Sequence, residues 1–455
     1  MSKLENKYVN TKQLNLLLVG AVATILILGF EGLAVTAIMP KVMEDLNAVN
    51  YYPLAGGISV AIQIFSTALS GIWCDSKGPR YALIFGISVF VVGLFLSGIA
   101  YDSFIFILGR AVQGLGAGML IVPFYVIVGS HVEPIKRPMF FATFSASWII
   151  PALIGPYAAS IILKYFGWRM VFLSIPPLIF LSLLLLIPLL VILPSKNLPL
   201  NNKTKRTLFG ALGAGIFVAL SQISAILPTK YMILSVIVCI LCASFSLSYV
   251  LPKKTFTLKP GISSLILARS IPLGVVIGIE TLIPLILVIG RGWNTQTVAL
   301  MVSSGSICWF LGSYTQSRVK NFRKRQKLIV IGGALIIPGS FITILGTFDS
   351  AHFLFLLIGW AISSYGSGML IATCAVLALE ITPEEEHGNI SSVMQVGDSY
   401  ATAVLIALIG VLYTPLSNAI HPIPFLPSAV MLSLFSILGF YASYITYKYI
   451  TRTHN

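Results

Sequence analysis

Long hydrophobic runs separated by short polar segments make up nearly all of this sequence. A helix that crosses a membrane needs about 20 mostly apolar residues, and fourteen runs reach roughly that length. The predicted helices are 14–39, 53–73, 81–100, 103–130, 139–163, 170–193, 208–228, 231–250, 263–289, 297–317, 328–347, 351–379, 390–413 and 425–449. Only LPTK at 227–230 separates the seventh run from the eighth. The pattern predicts an all-α membrane protein with fourteen transmembrane helices.

Composition agrees with this pattern. The 455 residues are 57% hydrophobic and 9% charged, and their mean hydropathy is +0.94. Soluble proteins carry about 25% charged residues. The chain has too few polar residues to form a water-exposed surface. We therefore expect its outer surface to contact the lipid bilayer.

The basic residues predict the orientation of the helices. With fourteen spans, 22 of the 29 lysines and arginines lie on one side of the membrane and five on the other, while Arg110 and Arg269 fall within spans. Cytoplasmic loops are enriched in lysine and arginine. We therefore expect a multi-pass protein of the cell membrane with both termini in the cytoplasm. The same loops explain the net charge of +15 through attraction to anionic lipid, without nucleic acid.

Two halves of the chain resemble each other at a spacing near 250 residues. LGRAVQGLGAGML at 108–120 matches IGWAISSYGSGML at 358–370, and LGFEGL matches IGIETL, so that Glu280 takes the place of Glu31. Gln316 similarly stands where Asp75 is. Internal repeats of this kind are typical of secondary transporters, whose binding sites lie between the halves near the membrane midplane.

The seventh and eighth helices have no counterpart in this repeat. We therefore predict two pseudo-symmetric six-helix bundles, at 1–194 and 260–455, with an inserted transmembrane hairpin at 195–259.

The loop after the second helix, GIWCDSKGPRYAL, carries Gly71, Asp75, Gly78 and Arg80. It resembles the signature between helices two and three of the major facilitator superfamily. Gly71 permits close helix contact, Gly78 permits a tight turn, and Asp75 can cap a helix N-terminus or pair with a cation. The resemblance implies a gating role for these four residues.

Three further segments of the first half resemble motifs of that superfamily. LGRAVQGLGAGM carries Arg110 and Gln113, and FEGLAVTAIMP resembles the first-helix motif of the fourteen-helix drug:proton antiporters, with Glu31 as its acid. SWIIPALIGPYAAS resembles the antiporter motif, with Gly155 and Pro156 in place. Pro151 and Ala159-Ser160 stand where that motif usually has glycines, which keeps an alternative activity open.

Buried charges are candidates for proton coupling. Glu31 and Arg110 lie at similar depths, and helices one and four line the cavity in this superfamily, so we expect the two to interact. Arginine keeps its proton; it would hold Glu31 ionised in one state and release it to be protonated in another. A static structural pair is the alternative. Arg269 and Asp398 are expected to form a second, inner pair, with Glu280 as a further coupling acid.

Amide and aromatic side chains are expected to shape the substrate cavity, because aromatic faces beside carboxylates suit lipophilic cations. Trp360 takes the repeat position of Arg110, and Tyr365 follows on the same helix. The remaining candidates on the other cavity helices are Gln113, Trp148 and Gln395. Ordinary helix packing is the alternative for each aromatic residue.

These features together predict proton-coupled export of a lipophilic or cationic compound by a monomeric major facilitator transporter. The alternative is an uptake or facilitative carrier for a small polar solute on the same fold. The chain contains no GxxxxGK[ST] nucleotide motif, so we expect a proton gradient as the energy source. Five scattered histidines form no pattern of metal ligands, and we expect neither cofactor nor enzymatic activity.

Overall fold

A computed structural model describes residues 11–48, 51–193, 202–224, 227–416 and 423–453 of the chain. Regular structure in these residues is helical. The helices are α1 Thr11–Asp45, α2 Tyr52–Ser76, α3 Pro79–Gly98, α4 Ser103–Ala117, α5 Ile121–His131, α6 Arg137–Ala146, α7 Ile149–Phe166, α8 Trp168–Leu173, α9 Ile175–Ile192, α10 Asn202–Ile223, α11 Thr229–Leu247, α12 Ile262–Pro284, α13 Thr295–Ser317, α14 Phe322–Leu345, α15 Leu354–Ile381, α16 His387–Tyr413 and α17 Leu426–Thr453. The predicted domain boundary at 194/195 lies outside the described residues.

Prolines interrupt several of the membrane spans. Three predicted spans are each divided into two helices, α4–α5, α6–α7 and α8–α9. Pro123, Pro151 and Pro177 are each the third residue of the helix that follows a break. Proline cannot donate the helical hydrogen bond, and its ring clashes with the carbonyl four residues earlier. Pro284 ends α12 in the same way and leads into a π-helical segment, Leu285–Gly290.

The predicted helix count agrees with the structure once these breaks are allowed for. Each of the fourteen predicted spans coincides with one helix or one proline-broken pair. Thirteen of these, within the described residues, are long and apolar enough to cross a membrane. The remaining one, α13, is an uninterrupted helix of 23 residues. The protein is therefore an all-α, multi-pass membrane protein.

The chain divides into two compact units. Unit 1 comprises 1–226, 239–250 and 379–393, and unit 2 comprises 227–238, 251–378 and 394–455. In unit 1 the main helix contacts are α3 with α4, α2 with α4 and α10, and α1 with α7 and α9. In unit 2 they are α12 and α14 with α17.

Glycines allow α3 and α4 of unit 1 to approach at backbone distance. A Cβ atom on Gly116 would lie 2.7 Å from the carbonyl oxygen of Gly86, and one on Gly93 would lie 2.6 Å from the Cα of Gln113. Lipid tails are as apolar as the helices, so the hydrophobic effect does not hold helices together within a membrane. Small residues permit the close van der Waals packing that does.

The same arrangement recurs in unit 2 between α14 and α15. A Cβ on Gly332 would lie 2.7 Å from the carbonyl oxygen of Gly366, and one on Gly339 would lie 2.8 Å from that of Gly359. Gly359 and Gly366 are the repeat partners of Gly109 and Gly116 in the sequence. The repeated glycines therefore serve equivalent helix contacts in the two units.

Within unit 1, α10 of the predicted inserted hairpin packs on α2. A Cβ on Gly57 of α2 would lie 2.6 Å from Cγ of Gln222, and one on Gly215 of α10 would lie 2.6 Å from the carbonyl oxygen of Ala61. The inserted helix is thus fitted closely to the helix that ends in the predicted gating loop.

We expect Gly93→Ala to destabilise the protein by about 1–3 kcal/mol, since the added methyl group would collide with backbone atoms of α4. The midpoint of thermal unfolding in detergent measures this. Gly56→Ala is the matched control, because Gly56 is an exposed helical glycine with open space around its Cβ position. Equal midpoints for the two variants would contradict the packing argument.

Candidate functional site

An ion pair joins α1 to α4 inside unit 1. Nη1 of Arg110 lies 2.6 Å from Oε1 of Glu31, and both side chains are about nine-tenths buried. The same Nη1 donates to Oε1 of Gln113 at 2.7 Å. The expected contact between Glu31 and Arg110 is therefore present, and Gln113 gives the guanidinium a second, neutral acceptor.

The helix that carries Glu31 is held against α7 by small and cyclic residues. A Cβ on Gly29 would lie 3.2 Å from Cγ of Pro151, and a Cβ on Gly155 would lie 3.6 Å from Cβ of Leu33. Pro156, the other predicted motif residue, lies inside α7. The antiporter-like segment therefore supports α1 on either side of Glu31, although it departs from the motif at Pro151.

A second ion pair lies inside unit 2, between α12 and α16. Nε of Arg269 is 2.8 Å from Oδ2 of Asp398, and the side chains are 4% and 10% exposed. Ser270 donates to the other carboxylate oxygen at 2.9 Å. The predicted pair is thus formed, and the sequence prediction missed Ser270, a common residue that carries no distinctive signal.

Glu280 differs from these two acids. It lies on α12, four residues before Pro284, and is half-buried. Among the described residues, no side chain or backbone group forms a hydrogen bond or ion pair with its carboxylate. Its sequence counterpart Glu31 pairs with Arg110. The two acids therefore occupy matching positions in the sequence but have different surroundings.

Glycines shape the predicted gating loop between α2 and α3. Gly78 adopts φ +94°, a conformation that side chains with a Cβ rarely tolerate. Gly71 lies one turn before Asp75, and a Cβ there would approach the carbonyl oxygen of Gly388 to 2.6 Å. Arg80 is half-buried in the first turn of α3. The glycines therefore serve the tight turn and the close contact that the sequence predicted.

Asp75 caps a helix that lies more than 300 residues away in the sequence. Its two carboxylate oxygens accept hydrogen bonds from the backbone N–H groups of Gly388 and Asn389, each at 2.8 Å. These groups belong to the first turn of α16, where the helix dipole favours negative charge. Of the two roles expected for Asp75, helix capping is present.

His387, the first residue of α16, is a functional candidate that the sequence prediction missed. It is 1% exposed, and its Nε2 lies 3.1 Å and 3.2 Å from the carbonyl oxygens of Leu379 and Thr382. Both acceptors are carbonyls, so Nε2 donates. His387 thereby attaches the capped end of α16 to the end of α15. In the sequence it directly follows three glutamates, a run of charge that predicts an exposed loop and not a buried residue.

The predicted cavity residues separate into two groups. Trp360 is 3% exposed, belongs to an apolar cluster and donates from Nε1 to the carbonyl oxygen of Val302 at 2.9 Å. Gln113 is fully buried beside Arg110. Trp360 therefore packs in a core, and Gln113 accepts a hydrogen bond from Arg110. The other three, Trp148, Tyr365 and Gln395, retain accessible surface.

Tyr365 and Gln395 differ in how their polar atoms are satisfied. The hydroxyl of Tyr365 is 2.9 Å from Oγ1 of Thr315. Nε2 of Gln395 is buried without a hydrogen-bond partner among the described residues. A ligand acceptor would satisfy that amide group. In the described part of the chain, no three histidine, cysteine, aspartate or glutamate side chains converge as a metal site requires.

We expect Arg110→Gln to destabilise the protein by about 3–5 kcal/mol, because it leaves the Glu31 carboxylate buried without a cation. Adding Glu31→Gln should recover much of this loss. A double-mutant cycle on thermal unfolding measures the coupling. The exposed pair Glu133–Lys136 is the control, with an expected coupling of about 0–1 kcal/mol. Additive effects of Arg110→Gln and Glu31→Gln would show that the two charges do not stabilise each other.

We expect Asp75→Ala to cost about 0.5–2 kcal/mol of stability, as loss of a helix cap does, and also to slow transport. Asp102→Ala is the matched control, because Asp102 caps its own helix through Ile105 N–H at 2.8 Å. Its loss should reduce stability and leave the transport rate per folded molecule unchanged. The measurements are thermal unfolding and substrate flux in proteoliposomes. Equal flux in the two variants would show that Asp75 acts only as a helix cap and has no separate role in transport.

Comparison with known proteins identifies a relative along most of the chain and others along about a third of it. The chain is 20% identical to the multidrug efflux pump SdrM of Staphylococcus aureus (strain N315) over 425 residues, which cover 89% of this chain and 92% of that protein. It is 25% identical to the multidrug transporter protein MdtP of Bacillus subtilis (strain 168) over 160 residues, which cover 34% of this chain and 29% of MdtP. The chain spans only about a quarter to a third of the length of several such curated relatives.

Solved structures share the fold. The human organic anion transporter MFSD10 (TETRAN) aligns with a TM-score of 0.71 at 12% identity, covering 95% of this chain and 99% of that one. The proton:xylose symporter XylE aligns with a TM-score of 0.69 at 13% identity, covering 96% of each chain. The family model described as Major Facilitator Superfamily matches residues 20–397. The chain therefore belongs to the Major Facilitator Superfamily and is a multi-pass membrane protein.

Proposed function

We propose that this transporter exports lipophilic compounds in exchange for protons, by alternating access. The observation that carries the proposal is the Glu31–Arg110–Gln113 group, which lies between the helices α1 and α4 of unit 1. The full-length similarity to a protein named a multidrug efflux pump supports the direction of transport.

Proton uptake by Glu31 would change this group in a defined way. Protonation removes the negative charge that faces Arg110, while the arginine itself stays charged. Arg110 would keep its hydrogen bond to Gln113 and lose the ionic part of its contact with Glu31. A neutral Glu31 separates from Arg110 at a lower electrostatic cost than an ionised one, and the lower cost permits α1 and α4 to move apart.

Helix α16 offers a way to connect charge and gating. Its first turn is capped by Asp75, and Asp398 lies ten residues beyond Gly388 on the same helix. That spacing corresponds to about 15 Å along the axis. A change at the Arg269–Asp398 pair would shift α16 as a rigid element and thereby alter its contact with Asp75. We assign Gly71, Asp75, Gly78 and Arg80 to gating on this basis.

We propose for the protein the orientation and the assembly state that the sequence predicts. Both termini are cytoplasmic in a cell membrane, and the active unit is a monomer, with protons and the substrate as its only partners besides lipid. Uptake of a small polar solute is the competing function, and the departures at Pro151 and Ala159-Ser160 from the antiporter pattern are the features that favour it.

We expect inside-out vesicles containing the protein to accumulate a lipophilic dye such as ethidium when their lumen is acidified. Glu31→Gln should abolish the gradient-driven accumulation while retaining exchange of dye between equal concentrations, because glutamine cannot carry the proton. Glu44→Gln is the matched control, since Glu44 is an exposed carboxylate on the same helix.

Gradient-driven accumulation that Glu31→Gln leaves unchanged would overturn the role of Glu31. Proton-driven accumulation of sugars or other polar solutes in right-side-out vesicles, without dye transport, would instead establish the uptake carrier.

A further inference from the structure

We infer that helices α14 and α17 of unit 2 together form a binding site for an anionic phospholipid, whose phosphate contacts basic side chains at one end of the pair. The packing of the two helices is the starting point. Thr451 donates to Oε1 of Gln326 at 3.2 Å, and Ser340 donates to Oγ of Ser436 at 3.0 Å. Contact positions rise along α14 while they fall along α17. The helices are therefore antiparallel, and the start of α14 lies beside the end of α17.

Exposed basic side chains gather where these two helix ends meet. They are Arg323, Lys324 and Lys327 on α14, with Lys448 and Arg452 on α17. Among the described residues, none of the five forms an ion pair. Lys41 and Lys136, which are also exposed, each pair with a nearby carboxylate. The five charges at this end of unit 2 are therefore available to an anionic ligand.

Unit 2 supplies no acidic residue at this basic end. Its sequence contains three acids, Glu280, Asp349 and Asp398. Asp398 pairs with Arg269, and Asp349 follows the opposite end of α14. Helix α12 begins beside the ring of Tyr449 on α17, and Glu280 lies about 27 Å farther along α12. Within unit 2 this end is uniformly positive, and basic pockets between membrane helices suit anionic headgroups.

The basic residues share one side of the helix pair with exposed apolar residues. In an antiparallel pair, the residues that follow the contact positions lie on the same side, because successive residues advance around the two axes in opposite senses when viewed from one end. After the first contact described above, these residues are Lys327 and Arg452. After the second they are Phe341 and Ile437, which are 43% and 44% exposed. Charge and apolar surface therefore belong to one continuous face.

The apolar part of this face has the length that a lipid chain requires. The exposed apolar and aromatic residues on the two helices are Ile331, Phe341, Leu345, Leu434, Tyr441 and Tyr444. From 331 to 345 the face extends about 21 Å, which exceeds half of a hydrocarbon core about 30 Å thick. A phospholipid joins a phosphate to acyl chains of this reach. A free phosphate or an acidic protein segment would use only the charged end.

Lipid binding to the purified full-length protein in neutral detergent tests this inference. The probes are dioleoyl-phosphatidylglycerol, dioleoyl-phosphatidylcholine with the same chains, and soluble glycerol 3-phosphate. Native mass spectrometry measures the affinity of each lipid and the number of molecules bound. The test variant is Lys327→Gln/Arg452→Gln. Its matched control, Lys164→Gln/Lys230→Gln, removes two exposed charges from α7 and α11.

We expect wild type to bind phosphatidylglycerol at least about 10-fold more tightly than phosphatidylcholine. Lys327→Gln/Arg452→Gln should weaken phosphatidylglycerol binding by about 10- to 30-fold, the effect of two basic side chains near an anionic headgroup. Its affinity for phosphatidylcholine should change less than about twofold, and the control should match wild type for both lipids. The exchange Lys327→Arg/Arg452→Lys should stay within about threefold of wild type, because it keeps both charges.

Thermal unfolding in detergent without lipid should give the same midpoint for all variants, since the altered side chains are exposed. Equal affinity of wild type for the two lipids would overturn the inference. Unchanged phosphatidylglycerol binding in Lys327→Gln/Arg452→Gln would also overturn it. Displacement of the lipid by an equal concentration of glycerol 3-phosphate would show a site for free anions and not for lipid. None of these results bears on the proposed export, which dye accumulation in vesicles tests separately.

Discussion

The cost of a charge in hydrocarbon is the constraint on which this structure depends. Lipid offers no water to solvate an ionised side chain, so an arginine or carboxylate within a span needs a partner from the protein. Two arginines and two acids meet this requirement as pairs, Glu31 with Arg110 and Arg269 with Asp398. Each pair joins two helices of one unit. In the mechanism that we propose, these helices are the ones whose relative positions change when a proton binds.

Close helix packing makes these pairs possible. Glycines at equivalent repeat positions bring α3 to α4 and α14 to α15 at backbone distance. Such interfaces exclude larger side chains, because a Cβ atom added at these glycines collides with the facing helix. Prolines have the opposite effect, since they break three spans and end α12 beside Glu280. Rigid glycine contacts and local proline breaks thus divide each unit into parts that are fixed and parts where the backbone is irregular.

The two units share a helix order but use their acids differently. Glu31 and Glu280 occupy matching places in the repeat, yet only Glu31 faces an arginine, because Trp360 takes the position that Arg110 has in the first half. The second half regains a pair through Arg269 and Asp398, on different helices. Among the described residues, Glu280 therefore has no arginine within ion-pair distance, whereas Glu31 and Asp398 each have one.

Sequence alone determined the number and approximate limits of the membrane helices, because about 20 apolar residues are needed to span a bilayer and short polar loops mark their ends. It also predicted the Glu31–Arg110 and Arg269–Asp398 contacts. In each pair the two charges lie at similar depths in their spans, and few other charged residues lie at those depths. Only the tertiary structure decided that Asp75 caps α16, that His387 is buried beside it, that Trp360 packs in a core and that Glu280 stands alone. Those outcomes depend on which faces of distant helices pack together. Hydropathy shows where each helix lies in the sequence, but it does not show which other helix that helix contacts.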